Sequence, residues 1–111
     1  MQAIADVKYM PQIPPKYRSR TDIVAQILQA ANEHSDGASK AQIMYYGVFL
    51  SYTQLKEYLA VLIQYGLLEL SEGTPTYKTT EKGLKFLEIY EQIKQLVTGV
   101  TESRLLSEVQ K

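Results

Sequence analysis

The chain of 111 residues has no cysteine, no tryptophan and a single histidine, and its 12 basic and 12 acidic side chains cancel. Without cysteine it can form no disulfide and carry out no thiol chemistry, which is consistent with a cytoplasmic location. One histidine, His34, falls short of the clustered ligands that zinc requires, so we expect no bound metal. Because non-specific affinity for nucleic acid comes mainly from neutralised phosphates, the zero net charge disfavours a protein that coats nucleic acid regardless of sequence.

Several other classes of protein also lack support in the sequence. No apolar run approaches the roughly 20 residues of a membrane span, and the N-terminus lacks the basic and apolar regions of a signal peptide. There is no phosphate-binding GxxxxGKS or GxxxxGKT loop, no GxGxxG loop, and no serine or histidine with a visible catalytic partner. We therefore predict that the chain neither enters a membrane nor catalyses a reaction, and that it needs no cofactor.

The strongest positive signal is a pair of helix-start motifs separated by a short turn. Ser39 with Gln42, and Ser51 with Gln54, each match the Ser-x-x-Gln capping box. In such a box the Ser oxygen accepts a hydrogen bond from the third N–H of the helix, and the Gln side chain reaches back to the N–H of the cap. The stretch 46–50 between the two helices is long enough only for a tight turn. This order predicts a helix-turn-helix, in which the second helix usually contacts DNA.

A further helix is predicted upstream of this pair. Thr21 is expected to cap it, and the turn-forming residues 35–37 are expected to end it. Ala38 and Ser39 are expected to form a very short strand before the second helix, which should end at Gly47. The side chains expected to face the core from these two helices are Ile23, Val24, Ile27, Leu28, Ala31, Ile43 and Met44.

The third helix is expected from Ser51 to about Tyr65. Leu50 and Leu55 flank its cap at hydrophobic-staple spacing, which would fix the angle at which the helix begins. Its expected buried stripe is Leu55, Leu59, Leu62 and Ile63.

A β-hairpin and a fourth helix complete the predicted domain. Two short β-capable runs, 67–71 and 76–79, lie on either side of a turn rich in Gly and Pro, which indicates a hairpin. A hairpin directly after a helix-turn-helix is a wing. Thr80 is expected to cap the fourth helix, and Leu84 and Leu87 are expected to pack on the three-helix core.

The fourth helix is longer than its own domain needs and carries a second apolar face. Spacings of four, three, four and three residues separate Phe86, Tyr90, Ile93, Val97 and Val100, as they separate the a and d positions of a coiled coil. Because a small domain has little left to cover this face, a second copy of the chain is the simplest partner. The predicted dimer interface comprises Phe86, Ile89, Tyr90, Ile93, Leu96, Val97 and Val100. The pattern shifts at Gly99, so the helix is expected either to end near residues 98–99 or to be followed by a short helix capped by Thr101.

The exposed front of the third helix and the residues around it are candidates for DNA contact. The residues suited to base edges are Thr53, Gln54 and Glu57. The residues suited to phosphates are Lys40, Ser51, Tyr52, Lys56 and Lys78, together with Arg18 and Arg20 at the end of a basic N-terminal arm. Two alternatives remain open. Gln54 could serve only its capping box while the other polar residues solvate an outer face, and the arm could be a solvated tail.

Several blocks of the chain resemble archaeal winged-helix DNA-binding proteins, especially the "10a" type. The matching blocks are 20–24 (RTDIV), 39–45 (SKAQIMY), 50–52 (LSY), 56–59 (KEYL), 65–68 (YGLL) and 77–83 (YKTTEKG). The resemblance implies a homodimer, paired through an antiparallel C-terminal coiled coil, that acts as a transcriptional regulator or chromatin-associated protein. The DNA contacts that it implies are Lys40, Ser51, Tyr52, Thr53, Lys56 and Lys78.

These observations predict a mainly α fold with a small β-hairpin, namely a winged helix-turn-helix followed by a long C-terminal dimerisation helix. The predicted division is an extended basic arm (1–20), the winged helix-turn-helix domain (21–80), a coiled-coil helix (81–98) and a tail or short helix (99–111). The predicted function is binding of double-stranded DNA by a homodimeric transcriptional regulator, through the third helix and the wing. The alternative is a winged helix that binds a protein and not DNA.

Overall fold

The computed structural model describes the backbone of residues 18–109 and the side chains of residues 18–97. Residues 1–17 of the predicted arm therefore lie outside the described part. That part contains three helices, a two-stranded antiparallel hairpin and a long fourth helix, which confirms the predicted fold. The elements are α1 (Arg20–Ala31), α2 (Lys40–Tyr45), α3 (Tyr52–Gln64), β1 (Leu68–Leu70), β2 (Tyr77–Thr79) and α4 (Glu81–Val109).

The starts of α2 and α3 are the two capping boxes that the sequence predicts. The Ser39 and Ser51 hydroxyl oxygens accept hydrogen bonds from the backbone N–H groups of Gln42 and Gln54. The Gln side chains accept in return from the N–H groups of the two serines, at 2.9 and 3.0 Å. Both helices therefore begin with two otherwise unpaired N–H groups satisfied, and the direction of α3 is fixed locally.

The cap of α1 is Ser19, and the prediction of Thr21 was wrong. Ser19 Oγ accepts from the backbone N–H of Asp22 at 3.1 Å, and Asp22 Oδ2 accepts from the Ser19 N–H at 2.9 Å. A carboxylate three residues after the cap completes a reciprocal box, whereas the corresponding residue for Thr21 is the apolar Val24. The helix ends at Ala31, slightly before the predicted turn at 35–37.

The core lies where the first three helices meet the hairpin. The buried residues include Ile27, Leu28, Ala31, Ala38, Ile43, Val48, Leu55, Leu59, Leu62, Leu68 and Tyr77. The partly buried residues Ile23, Val24, Met44, Leu50 and Ile63 pack against this cluster. The predicted apolar faces of all three helices are thus confirmed, and their polar faces are left at the surface.

The hairpin is fixed to the rest of the domain at two places. Tyr77 exchanges two backbone hydrogen bonds with Ala38, at 2.9 and 2.7 Å. Ala38 therefore makes the predicted short strand contact, while Ser39 serves as the cap of α2. The buried Thr79 hydroxyl donates to the carbonyl oxygen of Leu28 at 2.7 Å, which holds β2 against α1.

The start of α4 is packed tightly against the chain that leads into β1. Thr80 caps the helix as predicted, because its hydroxyl accepts from the N–H of Gly83 at 3.1 Å. The same hydroxyl donates to the carbonyl oxygen of Gly66 at 2.6 Å. A Cβ added at Gly83 would lie only 2.5 Å from the carbonyl oxygen of Leu67. The glycine is what allows helix and strand to approach so closely.

Two predictions about α4 were wrong. The helix does not end near residues 98–99 and is not followed by a separate helix capped by Thr101, because it continues through Gly99 to Val109. A single glycine in a helix interior costs only about 1 kcal/mol relative to alanine, which need not stop the helix. Leu84 is 43% exposed, and the residues of α4 that pack against the core are Phe86 and Leu87. The buried Gly83 sets the inward face of the helix, and Leu84 follows it on the outer side.

Candidate nucleic-acid interface

Two lysines and a tyrosine form a cluster where the beginnings of α2 and α3 meet. The Lys40 ammonium donates to the Tyr52 hydroxyl at 3.3 Å and lies 5.4 Å from the centre of the Tyr52 ring. The Lys56 ammonium lies 5.7 Å from the same centre. The hydrogen bond to Tyr52 raises the pKa of Lys40, so this group is charged at neutral pH. The structure therefore brings together three of the residues predicted to contact phosphates, of which Tyr52 and Lys56 are exposed and Lys40 is partly exposed.

The outer face of α3 continues from this cluster and is exposed along its length. Thr53 and Glu57, two of the residues predicted to meet base edges, are both on this face. Ser51 and Gln54 have their oxygens engaged in the cap of the helix. This leaves the hydroxyl proton of Ser51 and the amide NH₂ of Gln54 as the groups that could donate to a ligand.

Arg18, which was predicted to contact DNA, makes contacts within the chain. Its guanidinium is turned into the domain, where it donates to Gln26 Oε1 at 2.6 Å, to the carbonyl oxygen of Val48, and to that of Phe49 at 3.2 Å. Burial lowers the pKa of Arg18, although nearby groups, including Tyr58 and Asp22, partly oppose this effect. Arg18 is thus a structural link between the start of α1 and the turn before α3, and its contact with DNA stays a prediction.

Arg20 lies beside α3 and not in an extended arm. It is in the first turn of α1, and it lines an open groove of about 510 Å³ between α1 and α3. The same groove is lined by Gln54 and Glu57. The structure therefore places Arg20 next to two of the residues predicted to read bases.

Lys78 is exposed in the middle of β2, as expected for a wing residue. The register of the hairpin places it opposite the exposed Glu69 of β1. The turn between the strands adds Glu72 and no further basic residue. The wing therefore carries no net positive charge, and Lys78 is electrostatically less favourable for phosphate than the two lysines around Tyr52.

The outer side of α4 is a second candidate surface, and it differs from the predicted dimer interface. Phe86 and Tyr90 are half-buried against their own domain, with their rings stacked at 6.2 Å between centres. The Tyr90 hydroxyl donates to Asp22 Oδ1 at 2.5 Å. Burial, together with this contact to Asp22, raises the pKa of Tyr90. Two members of the predicted seam are therefore used within the chain.

The remaining apolar residues of this helix form an exposed stripe. The stripe consists of Ile89, Ile93, Leu96 and Val97, which are between 45% and 73% exposed. Ile89, Ile93 and Leu96 are spaced by four and three residues, so the stripe keeps a coiled-coil period without Phe86 and Tyr90. The side chain of Val100, the next residue in this period, lies outside the described part.

One residue near the interface was not predicted from the sequence at all. Phe49, in the turn between α2 and α3, has a φ of +54° and a side chain that is 58% exposed. This left-handed conformation costs about 1–2 kcal/mol for a residue other than glycine. No pattern in the sequence predicts this conformation at Phe49, because phenylalanine is among the residues that rarely adopt it.

Comparison with known families agrees with this architecture. A family model described as winged helix-turn-helix matches residues 17–98. The chain belongs to the winged helix-turn-helix family. In such a protein α3 is the recognition helix, the hairpin is the wing, and the module is typically a DNA-binding unit without enzymatic activity. No curated protein matches the chain closely enough to show a relative.

Two other kinds of feature, a metal site and a membrane-spanning helix, are not found among the described residues. Among the side chains that the structure describes, those of residues 18–97, no group of three His, Asp or Glu is placed to hold a metal ion. Within residues 18–109 no helix is both long and apolar enough to cross a membrane. The surfaces that stand out are therefore the face of α3 with its lysine–tyrosine cluster and the apolar stripe of α4.

Proposed function

We propose that this protein binds double-stranded DNA as a homodimer and regulates transcription, with α3 as the helix that enters the major groove. The observation that carries the proposal is the cluster of Lys40, Tyr52 and Lys56 at the start of an exposed recognition helix. Two ammonium groups at 5.4 and 5.7 Å from the centre of one tyrosine ring make a compact positive site, although the chain as a whole is neutral. Such a site suits adjacent phosphates of one strand and would set the register of the helix.

Base recognition is assigned to the face of α3 beyond this cluster. Glu57 can accept a hydrogen bond from cytosine, the amide NH₂ of Gln54 can donate to N7 of adenine, and the methyl group of Thr53 can contact the methyl group of thymine. Arg20 lies across the groove from this face and adds a positive charge there. Lys78 of the wing is a secondary phosphate contact because Glu69 opposes its charge.

The homodimer is proposed to form through the exposed stripe of α4. An exposed apolar stripe on a long helix usually marks an interface, and pairing with the same stripe of a second copy would bury it. The revised interface is Ile89, Ile93, Leu96 and Val97, with Val100 as the expected next position, so the proposed coiled-coil segment continues past residue 98, where it was predicted to end. Two recognition helices held together would bind two half-sites with the second at high effective concentration.

Selection of genomic fragments followed by a salt titration tests this proposal. With two lysine contacts per protomer, the dimer neutralises at least four phosphates, so the logarithm of affinity should fall with the logarithm of salt with a slope of about −3.6 or steeper. Sedimentation at micromolar concentration should show a dimer. A dimer that binds no fragment at low salt would reject DNA binding, and a monomer would reject the bivalent mechanism.

A second function, recognition of a protein, has one observation in its favour. Tyr45 at the end of α2 is 91% exposed, and such aromatic side chains are enriched in protein interfaces. The same titration separates the two functions, because binding to a protein surface through Tyr45 would not show the steep salt dependence of phosphate contacts.

A further inference from the structure

The residues at the beginning of α1 make contacts in two opposite directions. We call Arg18, Ser19 and Asp22 the α1 tether. On one side Arg18 contacts the turn before α3, and on the other side Asp22 contacts α4. Ser19 lies between them and is bonded to Asp22 through both its N–H and its hydroxyl. These hydrogen bonds, together with the backbone between Arg18 and Ser19, therefore link the turn before the helix proposed to bind DNA to the helix proposed to form the dimer.

The contact on the α3 side holds a strained turn. Arg18 donates to the carbonyl oxygens of Val48 and Phe49, the second of which belongs to the residue with the left-handed backbone. Val48 is fully buried, so this turn cannot shift without disturbing the core. Ser51, the cap of α3, follows directly. A guanidinium bound to two successive carbonyl oxygens is thus well placed to fix where α3 begins and how it is directed.

The contact on the α4 side uses both oxygens of one carboxylate. Asp22 Oδ1 accepts from the Tyr90 hydroxyl, while Oδ2 accepts from Ser19. Burial alone would raise the pKa of Asp22, but the hydrogen bonds from Tyr90 and Ser19 outweigh it and the pKa is lowered. The carboxylate is therefore ionised at neutral pH, and the bond from Tyr90 is charge-assisted and strong. Tyr90 adjoins Ile89 of the exposed stripe.

We infer that the α1 tether sets the orientation of α3 relative to α4, and that Arg18, Asp22 and Tyr90 are positioning residues for DNA recognition. If α4 pairs with a second copy, the tether defines the angle and separation of the two recognition helices. This last step rests on the proposed function. The orientation itself is a property of one chain and is tested without DNA and without a dimer.

The first test measures the distance between α3 and α4 within one protomer. The absence of cysteine allows spin labels to be placed at Ala60→Cys and Gln92→Cys, two exposed positions on these helices. Labelled chains are diluted into an excess of unlabelled chains, so that only the distance within a chain is seen. The protein without further substitutions should give one narrow distance distribution.

Two variants then probe the tether in this labelled chain, and a third serves as the control. Tyr90→Phe removes only the hydroxyl, and Arg18→Lys keeps the charge but cannot bridge two carbonyl oxygens and Gln26. Both should broaden or shift the distribution while the helical circular dichroism is retained. Tyr45→Phe removes a hydroxyl from an exposed tyrosine and serves as the matched control, which should leave the distribution unchanged. If Arg18→Lys fails to fold, the distance distribution of Tyr90→Phe alone tests the inference. A Tyr90→Phe distribution identical to that of the control would overturn the inference.

The second test measures affinity for DNA fragments taken from sequences that the unmodified protein selects. One kind of fragment carries a single half-site, and the other kind carries two half-sites at different separations. Tyr90→Phe should bind a single half-site within about twofold of the unmodified protein, and should lose about tenfold in affinity at the preferred separation. An equal loss on both kinds of fragment would indicate general destabilisation and would overturn the positioning role. If the unmodified protein binds no DNA, the proposed function fails while the distance measurement still decides on the tether.

Discussion

Replacement of Gly83 by alanine is expected to destabilise the protein, although the usual effect of this change in a helix is the opposite. In an ordinary helix interior, alanine is more stable than glycine by about 1 kcal/mol. Here the new Cβ would lie 2.5 Å from the carbonyl oxygen of Leu67 and 2.6 Å from Cγ2 of Thr79. Ordinary contacts of this kind are longer by roughly 1 Å, so helix and strand would have to move apart by about that distance.

The size of the effect follows from what this movement would disturb. The Thr80 N–H donates to the same carbonyl oxygen of Leu67 at 3.1 Å, and the Thr80 hydroxyl donates to Gly66 at 2.6 Å. Overpacking typically costs about 1–3 kcal/mol, and a backbone oxygen cannot rotate away as a flexible side chain can. Taking about 3 kcal/mol for the clash and subtracting about 1 kcal/mol for helix propensity leaves a net loss of about 2 kcal/mol.

Thermal unfolding followed by circular dichroism measures this loss directly. For a domain of this size each 1 kcal/mol shifts the melting temperature by about 4–8 °C, so Gly83→Ala should melt about 8–16 °C lower. Gly99→Ala, in the same helix, is the matched control and should show only the gain in helix propensity. A melting temperature for Gly83→Ala equal to or above that of the unmodified protein would refute the close packing of α4 on the chain before β1.

Four further substitutions test other parts of the structure. Lys40→Ala and Lys56→Ala should each weaken binding to all DNA sequences and reduce the salt slope of the dimer by about 1.8, measured by fluorescence anisotropy, whereas unchanged slopes would exclude them as phosphate contacts. Ile93→Glu should give a monomer in sedimentation velocity that keeps its helical circular dichroism, and a persistent dimer would place the interface elsewhere. Phe49→Gly should raise the free energy of unfolding by about 0.5–1 kcal/mol in urea titrations, because it relieves the left-handed strain of an exposed residue. A loss of stability would show that the ring contributes more packing than its exposure indicates.

The sequence was sufficient for the features that depend on neighbouring residues. The capping boxes at Ser39 and Ser51 each involve residues three positions apart, and the two strands of the hairpin lie on either side of a turn rich in Gly and Pro. The apolar stripes of the first three helices are likewise periodic within one element. Such local signals all point to the same fold, which is why the order of elements was predicted correctly.

The contacts that the sequence did not reveal involve side chains whose partners are distant in sequence. Arg18 contacts residues about thirty positions away, and Tyr90 contacts Asp22 across sixty-eight positions, so neither contact has a local pattern. Their residue types suggested surface and interface roles instead. Ser19 is a different case, because the Ser-x-x-Asp pattern was present in the sequence and could have identified the cap of α1. The DNA-contacting and dimer-forming roles of individual residues stay predictions.

The length of α4 turns small rotations at its base into large displacements at its far end. Its 29 residues correspond to about 43 Å of helix, and among the described side chains the hydrogen bond to the rest of the domain that lies farthest along the helix is made at Tyr90. The helix from there to Val109 extends about 28 Å beyond that anchor. A tilt of about 10° at Tyr90 would move its tip by roughly 5 Å, close to one turn of helix. The helix thus acts as a lever, and its base is held by the packing of Gly83, Phe86 and Leu87 and by the phenol–carboxylate contact of Tyr90.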